Sequence, residues 1–177
     1  SFRAAVPHEP KLPGGWEQSS VLKHEEFTRA VALALFDYLR KSRSHGFVVS
    51  LSGGVDSSAV SCLVALMVQA AVQELGFATF KERLKYIPWI ERVKNEQSVL
   101  QQLLACVYQA TRNSSNTTHK AAKAVAKDVG ATFFDLDIDT LVSEYQNLVE
   151  QETGVQLSWT KHDVALQNIQ ARVRSPS

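Results

Sequence analysis

The sequence predicts an α/β fold in which a parallel sheet carries helices on both faces. Short apolar runs rich in β-branched and aromatic residues alternate with longer segments that have helical periodicity. Glycines stand between these segments, where a helix ends or the chain turns. The resulting order of strand, helix, strand, helix, strand favours parallel strands joined by right-handed crossovers.

The composition is typical of a globular protein and excludes several classes. Of the 177 residues, 45% are hydrophobic and 21% are charged. Lys and Arg number 19 against 18 Asp and Glu, so we expect no nucleic-acid partner. We see no continuous apolar run of about 18 residues and no signal peptide, so we expect no membrane span. With only Cys62 and Cys106, a disulfide framework and a cysteine zinc site are excluded. We interpret both as buried packing thiols and expect a reducing, cytoplasmic setting.

Two regions differ along the chain. Residues 1–22 are predicted to be a linker or arm, because prolines and glycines crowd there without an apolar period. Residues 23–177 are predicted to be the folded part. From Glu25 onward a helix is predicted, because apolar residues recur at every fourth position: Phe27, Val31, Leu35 and Leu39.

Three strands and four further helices are predicted after this first helix. The strands cover residues 47–51, 103–108 and 132–138. The helices cover residues 59–75, 121–129, 141–150 and 162–174. In the third strand Phe134, Leu136 and Ile138 alternate with Asp135 and Asp137, which predicts a half-covered strand at a sheet edge.

Residues 77–99 are rich in charge and contain an apolar island at residues 86–90. Two interpretations remain open from the sequence. The segment is either a solvated helical excursion whose aromatic residues tuck onto the body, or a contact surface for a partner.

The hexapeptide Ser-Gly-Gly-Val-Asp-Ser at residues 52–57 lies between the first strand and the next helix. Adjacent glycines allow a tight turn and a close approach of the backbone to a ligand. The first N–H groups of a helix have no acceptor within it, so they form an anion site that the helix dipole reinforces. Ser52, Ser57 and Ser58 add hydroxyl donors. The hexapeptide therefore predicts a phosphate site.

Asp56 is the unexpected member of this motif, because a carboxylate repels a phosphate. A bound Mg²⁺ resolves the conflict, since the carboxylate holds the metal and the metal bridges phosphate oxygens. The alternative is that Asp56 or Ser57 only caps the following helix.

Two common phosphate loops are excluded. No lysine follows Gly54, as a Walker A loop requires, and no G-x-G-x-x-G fingerprint occurs. The hexapeptide instead resembles the pyrophosphate loop of the ATP-pyrophosphatase superfamily, which implies a Rossmann-like fold of the adenine-nucleotide alpha-hydrolase type. The resemblance implies an ATP site made of the residues around the loop: Ser50, Leu51, Ser52, Gly53, Gly54, Val55, Asp56 and Ser57. It also implies that Asp56 holds Mg²⁺.

The last predicted helix indicates a particular family. Its segment Asn-Ile-Gln-Ala-Arg-Val-Arg resembles the substrate-binding helix of NAD synthetases, which implies that Asn168, Arg172 and Arg174 bind deamido-NAD. Two residues apart on a helix, Arg172 and Arg174 point about 200° apart, so they cannot both face one small group from the same side. The family pattern implies Asn168 with Arg172, four apart on one face, as the preferred pair. The segment 112–118 is similar to the region that this family places beside ATP, with Arg112 as the ATP-contacting arginine.

The resemblance to NAD synthetases extends over about residues 22–174 and implies a reaction. ATP activates deamido-NAD as an acyl-adenylate, and ammonia, free or from glutamine, then gives NAD. The start of the chain is similar to the synthetase domain of the glutamine-dependent form, in which an upstream amidase makes ammonia. The family also implies a homo-oligomer, usually a dimer. Because the family's sheet has further strands, we expect residues 23–177 to be the N-terminal part of an ATP-binding synthetase domain, with the last strands missing.

Two other functions remain open. The same loop occurs in other ligases of the superfamily, such as those similar to GMP synthetase. A truncated, non-catalytic nucleotide-binding module is the alternative from a different class.

Overall fold

The computed structural model describes residues 15–175 and shows a three-stranded parallel sheet flanked by helices. The strands are β1 (Phe47–Ser50), β2 (Leu104–Ala110) and β3 (Thr132–Asp137). The helices are α1 (Leu22–Ser42), α2 (Val55–Leu75), α3 (Phe77–Arg83), α4 (Glu96–Leu103), α5 (Asn116–Asp128), α6 (Asp139–Thr153) and α7 (Asp163–Val173). Short 3-10 turns cover Gly15–Gln18 and Ile90–Arg92. The predicted α/β class and parallel sheet are therefore confirmed.

Within the described residues the strand order is β1-β2-β3, so β3 lies at an edge as predicted. Phe47 is opposite Leu104, and Val107 is opposite Phe134. Helices α2, α3 and α4 lie in the connection from β1 to β2, and α5 connects β2 to β3, as expected for parallel neighbours.

One face of the sheet, the helix-packed face, carries Val49, Cys106 and Tyr108. Cys106 Sγ lies 3.6 Å from Ser61 Oγ of α2, and Tyr108 contacts α5 through Thr118. Burial raises the pKa of the Cys106 thiol. Cys106 is a packing thiol as predicted, whereas Cys62 is exposed, so that part of the prediction is wrong. Cys62 is one helical step from Ser61 and points away from the sheet.

The opposite face, which we call the open face, carries the alternate residues of each strand. Val48 is 71% exposed, Phe134 48% and Leu136 38%. Phe134 and Leu136 of β3 therefore lie on the face with less helix cover. The reason is that α2 and α5 pack on the other face, while α7 reaches the open face where the Gln109 amide donates to the Arg174 carbonyl oxygen, 3.0 Å away.

The segment at residues 77–99 belongs to the core. Its apolar residues Phe80, Leu84, Ile87 and Ile90 are at most 1% exposed. The Tyr86 hydroxyl donates to the Leu39 carbonyl oxygen over 2.6 Å, which ties the segment to the end of α1. The interpretation that these residues tuck onto the body is therefore the one that the structure supports.

Several segment boundaries differ from the prediction; helix α5, for example, begins at Asn116 and not at residue 121. Helix α2 begins at Val55, four residues before the predicted start, because Gly54 already has an extended N-cap conformation (φ −90°, ψ 168°). Of the predicted arm, residues 1–14 lie outside the described residues. The turn Gly15–Gln18 packs on α1, with the Arg29 guanidinium 4.8 Å from the centre of the Trp16 ring.

By length and composition alone, α2 is apolar enough to cross a membrane, with a mean hydropathy of 1.7 over the best window. The expectation that no segment spans a membrane stays a prediction. In the structure α2 packs against α1 and the sheet, and Val64, Met67 and Val68 are at most 1% exposed. Apolar helices of this kind are also found in the cores of α/β proteins.

Candidate functional site

The hexapeptide lies where β1 ends and α2 begins, at the carboxyl end of the parallel sheet. Leu51 continues the strand, because its N–H donates to the Val107 carbonyl oxygen over 2.8 Å. The chain then turns through Ser52 and the two glycines into α2. Ligands of open α/β sheets bind at this edge, outside the carboxyl ends of the strands.

The turn requires glycine at position 53. Gly53 has φ +81°, a conformation that side-chain-bearing residues rarely adopt. A Cβ there would lie 3.0 Å from the Cα and carbonyl carbon of Thr118 and closer still to its carbonyl oxygen. The loop therefore rests directly on the backbone of the first turn of α5.

Serine hydroxyls hold the loop closed on itself. Ser52 Oγ accepts from the Gly54 N–H (3.2 Å) and lies 3.1 Å from Ser57 Oγ. Ser57 Oγ in turn accepts from the Ser52 N–H over 3.2 Å. Ser58 Oγ donates to the Gly54 carbonyl oxygen over 2.7 Å. These bonds define the loop before any ligand is bound.

The start of α2 has free donors. In the described part of the chain, the N–H groups of Val55, Asp56 and Ser57 have no acceptor, whereas the Ser58 N–H donates to Gly54 O over 3.2 Å. The N-cap residue, Gly54, has no side chain that would accept from them. Three adjacent unpaired N–H groups at a helix N-terminus attract an anion.

The Asp56 carboxylate lies in this first turn, exposed, without a hydrogen bond or ion pair to any described residue. Mg²⁺ commonly binds to one or two carboxylates and completes its shell with phosphate oxygens and water. No group of three metal-ligating side chains occurs among residues 15–175. A single free carboxylate beside an anion site fits Mg²⁺ that arrives with a nucleotide, and not a site built wholly from protein.

A cavity of about 340 Å³ opens next to the loop. Its walls come from the ends of β1 and β2, the segment after β2 and the end of α7: Ser50, Leu51, Ser52, Val107, Tyr108, Gln109, Asn113, Ser114, Ser115, Thr118 and Arg174. The cavity combines hydroxyl and amide groups with one cation. This combination suits a polar ligand that carries negative charge.

The structure separates the two arginines of α7. Arg174 lines the cavity beside the loop, whereas Arg172 lines a different groove with Leu141 and Tyr145 of α6. Asn168 is exposed and lines neither. Arg172 and Arg174 therefore point in different directions, as expected. It is Arg174 that lines the cavity, and not Asn168 or Arg172, the pair preferred from the family pattern. The role of all three in substrate binding remains a prediction.

Arg112 does not line the cavity. Its Nε lies 3.0 and 2.9 Å from the two carboxylate oxygens of Asp139, and its Nη2 lies 2.8 Å from Ser143 Oγ. The Arg112 N–H also donates to Asp139 Oδ1 over 2.9 Å. These bonds hold the pKa of Asp139 below its usual value and raise that of Arg112. A contact between Arg112 and ATP stays a prediction and would require Arg112 to leave Asp139.

Several residues near the site were not anticipated from the sequence. Tyr108 lines both the cavity and a smaller neighbouring one of about 260 Å³. His119 has its Nε2 2.6 Å from Asp135 Oδ2. The pairing of β2 with β3 places Asp135 opposite Tyr108. The His119–Asp135 contact depends on this strand register, which the sequence analysis did not predict.

Comparisons with known proteins agree with this architecture. Residues 27–176 match the NAD synthase family. The glutamine-dependent NAD(+) synthetase of Oryza sativa subsp. indica is 35% identical over 85% of this chain, and that of Homo sapiens is 30% identical over 92%. The chain spans only 22% and 24% of the length of these two relatives.

Solved structures give the same result for the fold. A glutamine-dependent NAD(+) synthetase from Cytophaga hutchinsonii aligns over 87% of this chain and 28% of its own, with a TM-score of 0.79 and 40% identity. The corresponding enzyme from Acinetobacter baumannii, in complex with ADP, aligns over 96% of this chain and 24% of its own, with a TM-score of 0.58 and 19% identity. Since the family match covers most of the described residues, this chain belongs to the NAD synthase family.

Proposed function

We propose that this chain forms the ATP-binding part of a carbon–nitrogen ligase that converts deamido-NAD to NAD. The observation that carries the proposal is the row of unpaired N–H groups at the start of α2, beside the free Asp56 carboxylate and next to the cavity. Family membership supports the product, and the ADP bound in the Acinetobacter baumannii relative supports an adenine nucleotide as ligand.

The proposed reaction has two steps. The nicotinate carboxylate of deamido-NAD attacks the α-phosphorus of ATP, so that an O–P bond forms and the bond to pyrophosphate breaks. Ammonia then attacks the acyl carbon, a C–N bond forms, and AMP leaves with the former carboxylate oxygen. After loss of a proton from nitrogen the product is the amide of NAD. Neither step needs a nucleophile from the protein.

The residues of this chain would bind and orient the reactants. The N–H groups of Val55, Asp56 and Ser57 donate to the phosphates, and they stabilise the charge that develops on the leaving pyrophosphate. Asp56 would hold Mg²⁺, which supplies positive charge to the phosphate oxygens when it is bound. Arg174 offers a cation to deamido-NAD from the wall of the cavity. Holding the two substrates together supplies the rest of the rate gain.

The assembly of the whole protein is part of the proposal. The relatives are named as glutamine-dependent, which supports glutamine as the ammonia source and an upstream amidase domain. A homo-oligomer and a cytoplasmic location are proposed from the family resemblance. No membrane or nucleic acid is required by the reaction.

The test measures binding of ATP with Mg²⁺ and of deamido-NAD by calorimetry, and then AMP release when ammonia is added. We expect both ligands to bind. Asp56→Ala is expected to abolish adenylation and the Mg²⁺-dependent part of ATP binding, while the melting temperature stays within a few degrees of wild type. Asp128→Ala, at the far end of α5, is the matched control.

Three outcomes would contradict parts of the proposal. Wild-type adenylation in Asp56→Ala, or unfolding of that variant, would remove the assigned role of Asp56. Binding of ATP without deamido-NAD would favour another ligase of the superfamily, such as one similar to GMP synthetase. Binding of both without turnover would favour a nucleotide-binding module.

A further inference from the structure

We infer that Tyr108 positions the phosphate loop, through a hydrogen bond to Thr118 on the neighbouring helix. The inference rests on the proposed function, since the loop is its ATP-binding element. Tyr108 lies on β2, is 4% exposed and is not part of the hexapeptide. Its Oη lies 2.9 Å from Thr118 Oγ1, in the first turn of α5.

Thr118 Oγ1 lies at the centre of a small network of hydroxyl groups. A carbonyl oxygen can only accept, so when Thr118 Oγ1 donates to the Ser115 carbonyl oxygen, 2.9 Å away, the Tyr108 hydroxyl is left to donate to Thr118. Ser115 Oγ lies 3.0 Å from Thr118 Oγ1 and accepts from the Thr118 N–H over 3.1 Å. Among the described residues, the Tyr108 hydroxyl is the group of the sheet that bonds to the Thr118 hydroxyl.

Thr118 in turn forms the surface on which the loop rests. The space that a Cβ of Gly53 would need is occupied by the backbone of Thr118. If the first turn of α5 shifts, Gly53 loses the wall that holds its positive φ, and the donors that follow it at the start of α2 change direction. Tyr108 therefore acts on the loop from β2 through Thr118, while the loop itself makes the phosphate contacts.

The ring and the hydroxyl of Tyr108 have separable effects. The ring packs edge-on against His119, with 5.0 Å between the ring centres, and phenylalanine would retain that contact. Tyr108→Phe thus removes the hydroxyl alone. The loss of one hydrogen bond of this kind changes an equilibrium constant by about two- to tenfold.

The experiment measures ATP·Mg²⁺ affinity by calorimetry and the melting temperature of the same samples. We expect Tyr108→Phe to weaken ATP binding about two- to tenfold. Thr118→Val should weaken ATP binding to a similar extent, whereas Thr118→Ser, which keeps a hydroxyl, should bind ATP like wild type. The double variant Tyr108→Phe/Thr118→Val should bind ATP no less tightly than the single variant with the lower affinity.

The matched control is Tyr86→Phe. Tyr86 also donates from its hydroxyl to a backbone carbonyl, that of Leu39, and lies outside the site. We expect it to lower the melting temperature without changing ATP affinity, which separates positioning from general stability. If wild type does not bind ATP, the proposed function fails. If wild type binds and Tyr108→Phe binds equally well, or if the two substitutions are additive, this inference is overturned and the proposed function stands.

Discussion

At the scale of single residues, the shape of the loop depends on glycine at position 53. Its positive φ and the backbone of Thr118 exclude every side chain larger than hydrogen. Gly54, by contrast, has φ −90°, and a Cβ there would meet only the Ser52 hydroxyl, at 3.2 Å. The two adjacent glycines therefore differ: the surrounding backbone requires glycine at position 53, whereas position 54 has no such backbone constraint.

Gly53→Ala should abolish ATP binding and destabilise the fold. A positive φ alone costs alanine about 1–3 kcal/mol, and the contact with Thr118 adds to this. Gly76→Ala is the matched control, because Gly76 has φ +76° but open space around its Cβ position. Urea unfolding and calorimetry of both variants provide the measurement. Equal destabilisation of the two variants, with ATP binding intact in Gly53→Ala, would contradict the steric role.

At the scale of elements, the Arg112–Asp139 pair joins the end of β2 to the start of α6. Asp139 accepts from both the side chain and the backbone N–H of Arg112. Asp139 is also the first residue of α6, where a negative charge interacts favourably with the helix dipole. One ion pair thereby holds the segment after β2, which lines the cavity, against α6.

This pair predicts a pH dependence of stability. The side-chain hydrogen bond from Arg112, and then its backbone N–H, lower the pKa of Asp139 below its unfolded value of about 3.9. The folded state thus binds this proton less readily than the unfolded state does. The stabilisation is therefore complete above the unfolded pKa and is lost as the pH falls through the lower folded pKa.

Asp139→Asn should reduce the urea midpoint at pH 7 and have a smaller effect at about pH 3, below the unfolded pKa. Arg112→Gln should change the acid side of the profile in the same direction but by less, because it removes the guanidinium while the backbone N–H of residue 112 still donates to Asp139. The measurement is a series of unfolding curves across this range. A difference from wild type that stays constant with pH would show that the pair does not titrate as described.

At the scale of the whole molecule, the core joins elements that are distant in the sequence. Phe80 of α3 stacks on Phe36 of α1 with 5.9 Å between ring centres, and on Phe77 at 6.4 Å. Leu84, Ile87 and Ile90 extend this cluster toward α4. Glu91 of the same segment is exposed, and its carboxylate pairs with Nζ of the largely buried Lys81 at 3.1 Å.

Phe80→Ala should lower the free energy of unfolding by about 3–5 kcal/mol, because the ring is fully buried and its loss leaves a cavity. Phe27→Ala on α1 is the control. Phe27 is 61% exposed, so its removal should change stability by no more than about 0.5 kcal/mol. Denaturant titration of both variants provides the test. A small effect of Phe80→Ala would mean that residues 77–99 do not belong to the cooperative core.

Much of the architecture was predictable because it depends on local sequence. The periodicity of residues 25–39 determines a helix, and the β-rich runs at 47–51 and 132–138 determine strands. The hexapeptide was recognisable because a strand, two glycines and a helix are consecutive in the chain. Helix α4 was missed, because its residues follow a charged segment and run into β2 without a turn.

The sequence by itself determined the fold class and the place of the hexapeptide between a strand and a helix, since both follow from residues that are neighbours in the chain. Only the tertiary structure decided which arginine of α7 enters the cavity, that Arg112 pairs with a carboxylate 27 positions away, and that the hydroxyl of Tyr108 reaches α5. The physical reason is that these contacts depend on strand register and on the direction in which each crossover helix packs. Local propensity fixes neither of them.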